Sequence, residues 1–204
     1  MKRVILIIIG LVTAAGLHAQ MKFDPVKEGD LIFQTSLSAQ SKAIQLATKS
    51  KYSHCGIIFK DKNGYYVLEA VSKVKRTPLA QWIARGEGKY FVIKRLKNAD
   101  QVLNPAALVK IKSAGQHFSG KDYDLTFEWS DDKIYCSELI WKIYQQATGL
   151  QIGKLEKLRD FDLTNAIVRK KMTSRYGTHI PWNETVISPA SIFDSQLLKT
   201  VSMN

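Results

Sequence analysis

Three side chains in this sequence have the types and settings for acyl-transfer chemistry: Cys136, His54 and Glu69. Cys136 follows Ile134-Tyr135 and opens the run with the clearest helical spacing, in which Leu139, Ile140, Ile143, Tyr144 and Ala147 share one face. Gly149 suits the residue just past that helix. A thiol at a helix N-terminus meets the positive end of the helix dipole and backbone N–H groups without intrahelical partners, which favours the thiolate. The same N–H groups can stabilise an oxyanion. Position alone would suit a buried structural cysteine as well.

The histidines narrow the choice. His18 lies in the N-terminal leader, His117 near a helix end and His179 in a loop, whereas His54 begins the strand-like run His54-Cys55-Gly56-Ile57-Ile58-Phe59. A strand holds an imidazole rigidly, as a general base requires, and Gly56 on the same face leaves room beside the ring. Glu69 stands in Val67-Leu68-Glu69-Ala70-Val71, where a carboxylate is costly without a partner. Asn63-Gly64 between the two runs is a strong hairpin signal. A turn centred there brings residues 54 and 69 close to one level, so that Glu69 would accept from the imidazole and fix its tautomer.

Strand alternation sends Cys55 to the face opposite His54. If His54 faces Cys136, Cys55 faces away, and a Cys55–Cys136 disulfide, the bland expectation for two cysteines in an oxidising compartment, is disfavoured. Tyr135 and Tyr52 neighbour Cys136 and His54 in sequence, and their hydroxyls are candidates to line the acyl site, as against an ordinary place in the core. Asp30 is a candidate to bind a substrate amine or to stabilise a turn. No His or Cys spacing of the zinc type, no Gly-x-Ser-x-Gly elbow and no phosphate-cradling glycine loop is present, so no metal or cofactor is expected.

The elements that must position these residues follow from pattern. Leu31 to Phe33 reads as a strand after the Gly29-Asp30 turn, and Ser36 or Ser38 as the cap of a helix reaching Thr48. Strands are expected from His54 to Lys60, Tyr65 to Val71 and Tyr90 to Leu96, the last buried on both faces. Pro78 opens a short helix ending near Gly86, and Asn104 caps a helix over Pro105 to Phe118. Asp162 is read as the cap of a basic helix from Leu163 to Met172, and Ser188 as the cap of a last one from Pro189. The class is α+β, with one antiparallel sheet packed against helices.

Ser53-His54-Cys55-Gly56-Ile57, then Leu68-Glu69-Ala70, then Tyr135-Cys136-Ser137-Glu138-Leu139-Ile140-Trp141 resemble the YiiX-like branch of the NlpC-type, papain-like cysteine peptidases, in which permuted chain order places His before Cys. Gly29-Asp30-Leu31-Ile32 and Ile187-Ser188-Pro189 look like features of the same family. The resemblance implies a papain-like core, a Cys136–His54–Glu69 triad and hydrolysis of an amide or related acyl bond. Cys55 has no place in the family pattern. Lecithin retinol acyltransferase relatives share the permuted order, but their Asn-Cys-Glu-His motif differs from Tyr135-Cys136-Ser137-Glu138, which favours an amidase.

Lys2 and Arg3, the apolar stretch from Val4 to Val12, and Leu17-His18-Ala19 have the pattern of a signal peptide cleaved after Ala19, leaving residues 20–204 as one domain without a transmembrane anchor. The expected location is periplasmic or secreted. The formal charge of +12 then favours anionic partners such as cell-wall polymers or lipid head groups rather than nucleic acid. The leading substrate is a cell-wall or other short peptide. A lipid acyl hydrolase or acyltransferase, and a non-catalytic binding module on this scaffold, are the alternatives.

Overall fold

A computed structural model describes residues 26–204, so the expected leader lies outside the described residues. In chain order the elements are β1 (Leu31–Gln34), α1 (Ser41–Thr48), β2 (His54–Asp61), β3 (Gly64–Ala70), β4 (Val74–Pro78), α2 (Leu79–Ala84) and β5 (Val92–Leu96). There follow α3 (Ala99–Val102), α4 (Pro105–Phe118), α5 (Cys136–Thr148), β6 (Glu156–Lys157), α6 (Ala166–Tyr176), β7 (Thr185–Val186), α7 (Pro189–Phe193) and β8 (Leu198–Met203). Six strands form one sheet in the order β4-β3-β2-β1-β5-β8, with every neighbouring pair antiparallel. The α+β class and the antiparallel sheet packed on helices are as read from the sequence. Among the described residues no helix is long and apolar enough to cross a membrane.

The alternation of β2 divides two cores. Cys55, Ile57 and Phe59 join Leu68 of β3, Ile111 of α4, and Leu139, Ile140 and Ile143 of α5 on one face. Ile58 joins Val67, Ile93, Trp82 and Ile83 on the other, where α2 packs. The central strands are apolar on both sides because both sides are covered.

Several boundaries differ from expectation for identifiable reasons. Helix α1 begins at Ser41, not near Ser36 or Ser38. Ser36 instead pairs with Gly86 and gives its N–H to the Ser53 hydroxyl, while its own hydroxyl accepts from the Ser38 N–H. Helix α6 starts at Ala166 with Asn165 as its cap, because the Asp162 carboxylate is taken up by the Thr164 N–H and hydroxyl. Strand β4 was not expected. Its exposed Lys75 and Arg76 carry no strand pattern, yet they are the charged residues that blunt a sheet edge. The caps of Asn104 on α4 and Ser188 on α7 form as read.

The β2–β3 hairpin turns one residue earlier than the Asn63-Gly64 signal implied. Asp61 pairs with Gly64, the Asn63 N–H donates to the Asp61 carboxylate at 2.8 Å, and Gly64 takes φ +111°. Extending this register places Gly56 opposite Glu69 and makes His54 a diagonal neighbour of Glu69 on the same face.

Gly56 is therefore where the sheet has no spare room. A β-carbon there would lie 2.4 Å from Val67 Cγ1 and 2.8 Å from the Leu68 carbonyl oxygen. The second contact is backbone and can be relieved only by parting β2 from β3. Gly56→Ala should destabilise the protein by about 1–3 kcal/mol, the usual cost of overpacking. Urea unfolding checks this; an unchanged midpoint would show that the hairpin yields at no cost.

Candidate active site

The site forms where the start of β2 meets the start of α5. Helix α5 begins at Cys136 because Tyr135 is held extended as its N-cap, with its N–H donating to the Glu138 carboxylate at 3.3 Å. Glu138 is itself buried and ion-paired to Lys142 at 2.8 Å. Two more signature residues bind this helix start to the segment before α7. The Ser137 hydroxyl donates to the Ile187 carbonyl at 2.7 Å, and the Tyr135 hydroxyl accepts from the Ile187 N–H at 3.0 Å. Thus Tyr135, Ser137, Glu138 and Ile187 all serve to fix the backbone that carries Cys136. Tyr135 also lines the cavity beside the sulfur.

On the other face of the sheet, Glu69 is wholly buried and each of its oxygens is occupied. Oε2 accepts from His54 Nε2 at 2.6 Å, from Trp82 Nε1 at 2.9 Å and from the Arg85 guanidinium. Oε1 accepts from the Thr77 hydroxyl at 2.5 Å. Burial alone would raise the carboxyl pKa, but His54, Thr77 and Arg85 outweigh it and bring it down to about 2. The Trp82 ring lies nearly parallel to the imidazole, with centroids 5.7 Å apart. With Nε2 committed to Glu69, Nδ1 is the ring nitrogen left free to serve Cys136. Burial lowers the His54 pKa, yet Cys136 and Glu69 together carry it up to about 9.

Cys55 is the main departure from expectation. It shares the face of α5 and lies in the same core cluster as Cys136, whose ionisation it influences. The alternation itself is correct, but its consequence is the reverse of the one drawn. The helix covers the Cys55 face, and His54 reaches Cys136 from the opposite face because it is the first residue of its strand, where the sheet ends. Both cysteines are free thiols. The Cys55 thiol and backbone N–H, with His54, hold the Cys136 pKa well below its ordinary value against the opposing effect of burial. The Cys55 thiol is correspondingly pushed up, first by burial and then by the neighbouring sulfur. The arrangement favours a Cys136 thiolate beside a His54 imidazolium.

Two other residues read as candidates lie elsewhere. Tyr52 stacks on Phe193 with centroids 4.1 Å apart and meets Phe33 edge-on, so it fills core rather than the site. Asp30 is buried and saturated by structure: Arg95 donates to both its oxygens at 2.6 and 2.7 Å, and the Lys27 N–H donates at 2.8 Å. It clamps the turn before β1 and has no oxygen turned to a ligand. Conversely, sequence reading passed over Thr77 of β4, Trp82 of α2 and Arg85 just after α2, and over Gln40, Tyr123 and Arg175. In this last group the guanidinium donates to the Gln40 side-chain oxygen, and Gln40 Nε2 donates to the Tyr123 hydroxyl at 2.9 Å. No local pattern marks any of these; only the pairing of distant segments does.

Residues 25–202 match the family described as the permuted papain-like amidase enzymes, YaeF/YiiX, C92 family. The protein YiiX of Escherichia coli (strain K12) is 47% identical over 174 residues, which are 85% of this chain and 85% of that one. A crystal structure described as that of the metalloprotein yiiX from Escherichia coli O157:H7 is similar with a TM-score of 0.84 and 47% identity, covering 87% of this chain and 97% of that one. Among the described residues here, no group of three or more His, Cys, Asp and Glu side chains is placed to hold a metal ion. Both Glu69 oxygens are filled by donors, so the side chains around Cys136 do not fit a bound metal either.

The groups around the sulfur predict its titration. Alkylation of Cys136 by iodoacetamide should persist well below the ordinary thiol range, and Cys55→Ala should move its midpoint to higher pH by removing a donor to the thiolate. Glu69→Gln should lower the pH at which His54 loses its proton from about 9, since a carboxylate that stabilised the imidazolium is gone. Rate–pH curves for alkylation and histidine NMR titration check the two shifts. A Cys136 midpoint unmoved in Cys55→Ala would remove Cys55 from the site.

Proposed function

The chain belongs to the YaeF/YiiX, C92 family of permuted papain-like amidases and is a cysteine hydrolase of that kind, and from this premise we propose that Cys136, His54 and Glu69 act as a triad that hydrolyses amides through a thioester. The observations that carry this reading are the hydrogen bond from His54 to the buried Glu69 and the placing of Cys136, whose low pKa depends on His54, at a helix N-terminus.

The Cys136 sulfur attacks the amide carbonyl carbon, and the electron pair of the C=O bond moves to oxygen. The N–H groups of the first turn of α5, which lack intrahelical partners, are available to stabilise that negative charge. As the intermediate collapses, the C–N bond breaks and the His54 Nδ1 proton passes to the departing amine. Neutral His54 then takes a proton from water, whose oxygen attacks the thioester carbonyl. The C–S bond breaks, the carboxylic acid leaves, and the thiolate–imidazolium pair returns. Through both halves Glu69 keeps Nε2–H bound, so the ring neither turns nor changes tautomer. Export through the leader at residues 1–19 places this chemistry in the periplasm or outside the cell. There the positive balance, +12 for the whole chain and +10 without Lys2 and Arg3, favours encounter with anionic substrates. Amides of cell-wall peptides and amides bearing lipid-like acyl groups are the two classes consistent with that setting.

Cys136→Ala should lower kcat/KM by at least about 10³-fold, and Glu69→Gln by about 10²–10⁴-fold with KM little changed. In the wild type kcat/KM should rise as Cys136 loses its proton and fall as His54 deprotonates near pH 9. A Cys136→Ala enzyme with full turnover would overturn the triad. For the leader, N-terminal sequencing of protein from the periplasm or medium should read from Gln20; an intact N-terminus in the cytosol would overturn export.

A further inference from the structure

Helix α6 carries charge of one sign only. Its sequence from Ala166 to Tyr176 includes Arg169, Lys170, Lys171 and Arg175 and no Asp or Glu. Among the described residues, none of these four cations has a carboxylate within ion-pair distance. Arg175 donates instead to the Gln40 side-chain oxygen and lies over the Phe127 ring. Only Val168 and Met172 of this helix are buried, so it lies on the surface with Arg169 and Lys170 exposed. Lys171, Ser174 and Arg175 line the groove that His54 also lines, and no acidic side chain borders that groove.

Large apolar side chains stand among these charges. Leu125 lines the groove and is 58% exposed; Leu37, between the groove-lining Ser36 and Ser38, is 71% exposed. Ile167 is 49% exposed and lies four and seven residues before Lys171 and Ser174, which puts it on the α6 face that borders the groove. One exposed leucine is ordinary on any protein surface. Here three such side chains, from three separate segments, gather about one opening beside unpaired cations, and none of them belongs to a core cluster.

The combination discriminates between partners. A soluble polyanion would satisfy the cations but has nothing to offer Leu37, Leu125 and Ile167. A protein partner that covered all three would also have to fill the open groove they border. An anionic bilayer meets both demands without a matching shape: its phosphates take the lysines and arginines, and the acyl boundary below them accepts the apolar tips.

We propose that the protein docks on the surface of an anionic phospholipid bilayer through this face. Leu37, Leu125 and Ile167 enter the headgroup layer, Lys170 and Lys171 meet lipid phosphates, and the His54 groove opens toward the membrane. Docking is independent of the hydrolase reading, since the Cys136 sulfur takes no part in it.

The test is sedimentation of the full chain with vesicles of phosphatidylcholine alone and of phosphatidylcholine mixed with phosphatidylglycerol. Residues 1–19 are common to every variant, so differences between variants report the folded part. Binding should be stronger on the anionic vesicles and weaken at 1 M salt, where the Debye length is about 3 Å. Lys170→Gln and Lys171→Gln should each weaken it about fivefold, the factor for one basic side chain near a charged leaflet. Leu37→Ser and Leu125→Ser should each weaken it about tenfold. Their thermal melting should be unchanged, because both side chains already stand in solvent. Lys199→Gln, on β8 at the opposite edge of the sheet from β4, should leave binding as it was. Hydrogen exchange should slow in residues 36–39, 124–126 and 166–175 when anionic vesicles are added. Cys136→Ala should bind as the wild type does, whether or not the wild type proves to be a hydrolase. Equal binding to both kinds of vesicle, equal weakening by Lys199→Gln, or slowed exchange confined to residues 1–25 would overturn the docking face. Binding that follows the lysines, ignores Leu37 and Leu125 and is fully displaced by dextran sulfate would replace the membrane with a soluble polyanion.

Discussion

A carboxylate with no solvent exposure must be neutralised by its surroundings or it will not remain charged, and Glu69 is such a group. Its donors come from four places in the chain: His54 opening β2, Thr77 in β4, Trp82 in α2, and Arg85 just after it. The sheet edge, the helix that covers it and the strand that carries His54 are thereby required to converge on one point. Removing any donor leaves part of a buried charge unmet, which is why this end of the molecule has so little freedom. The imidazole benefits from that rigidity. Its Nε2 is held, and its other nitrogen is left free.

The thiol is brought to the same point from the opposite side of the sheet. Helix α5 packs on the face of Cys55, Ile57 and Phe59, while His54 and Glu69 belong to the face of Trp82. Only at the end of a strand can residues of both faces touch one atom. Cys136 lies there, with Cys55 beside it and His54 reaching round. The contacts of Tyr135, Ser137 and Glu138 set how far the helix start projects. The bond from the Tyr144 hydroxyl to the Gly29 carbonyl fixes the same helix further along. The site is built on rigid elements on every side, as a preorganised nucleophile needs.

Two cavities open at the same junction, an apolar cleft that Cys136 lines and a more open groove that His54 lines. The cleft is the space between α1 and α6 that the start of α5 closes, and the groove lies beyond the end of β2. Their shared border holds the Arg175–Gln40–Tyr123 hydrogen bonds, which tie three separate segments together. The overall positive balance can draw an anion toward the protein, whereas the placing of Lys171 and Arg175 is a local matter.

By itself the sequence determined what depends on near neighbours. The helix opening at Cys136 with Gly149 past its end, the caps of Asn104 and Ser188, the hairpin between His54 and Glu69 and the antiparallel α+β class are all written in spacings of a few residues. It also indicated that Cys136, His54 and Glu69 belong together, because an acid in an apolar strand and a thiol at a helix start each ask for a partner. What required tertiary structure was every feature that joins distant segments. Strand β4 exists because β3 offers it an edge, since its own charged residues carry no strand signal. Asp30 and Tyr52, plausible near a site by their place in the chain, are claimed by Arg95 and Phe193. Cys55 shows the limit most plainly: alternation says that it opposes His54, but which face the nucleophile's helix covers is a matter of packing, and packing put Cys55 against the sulfur.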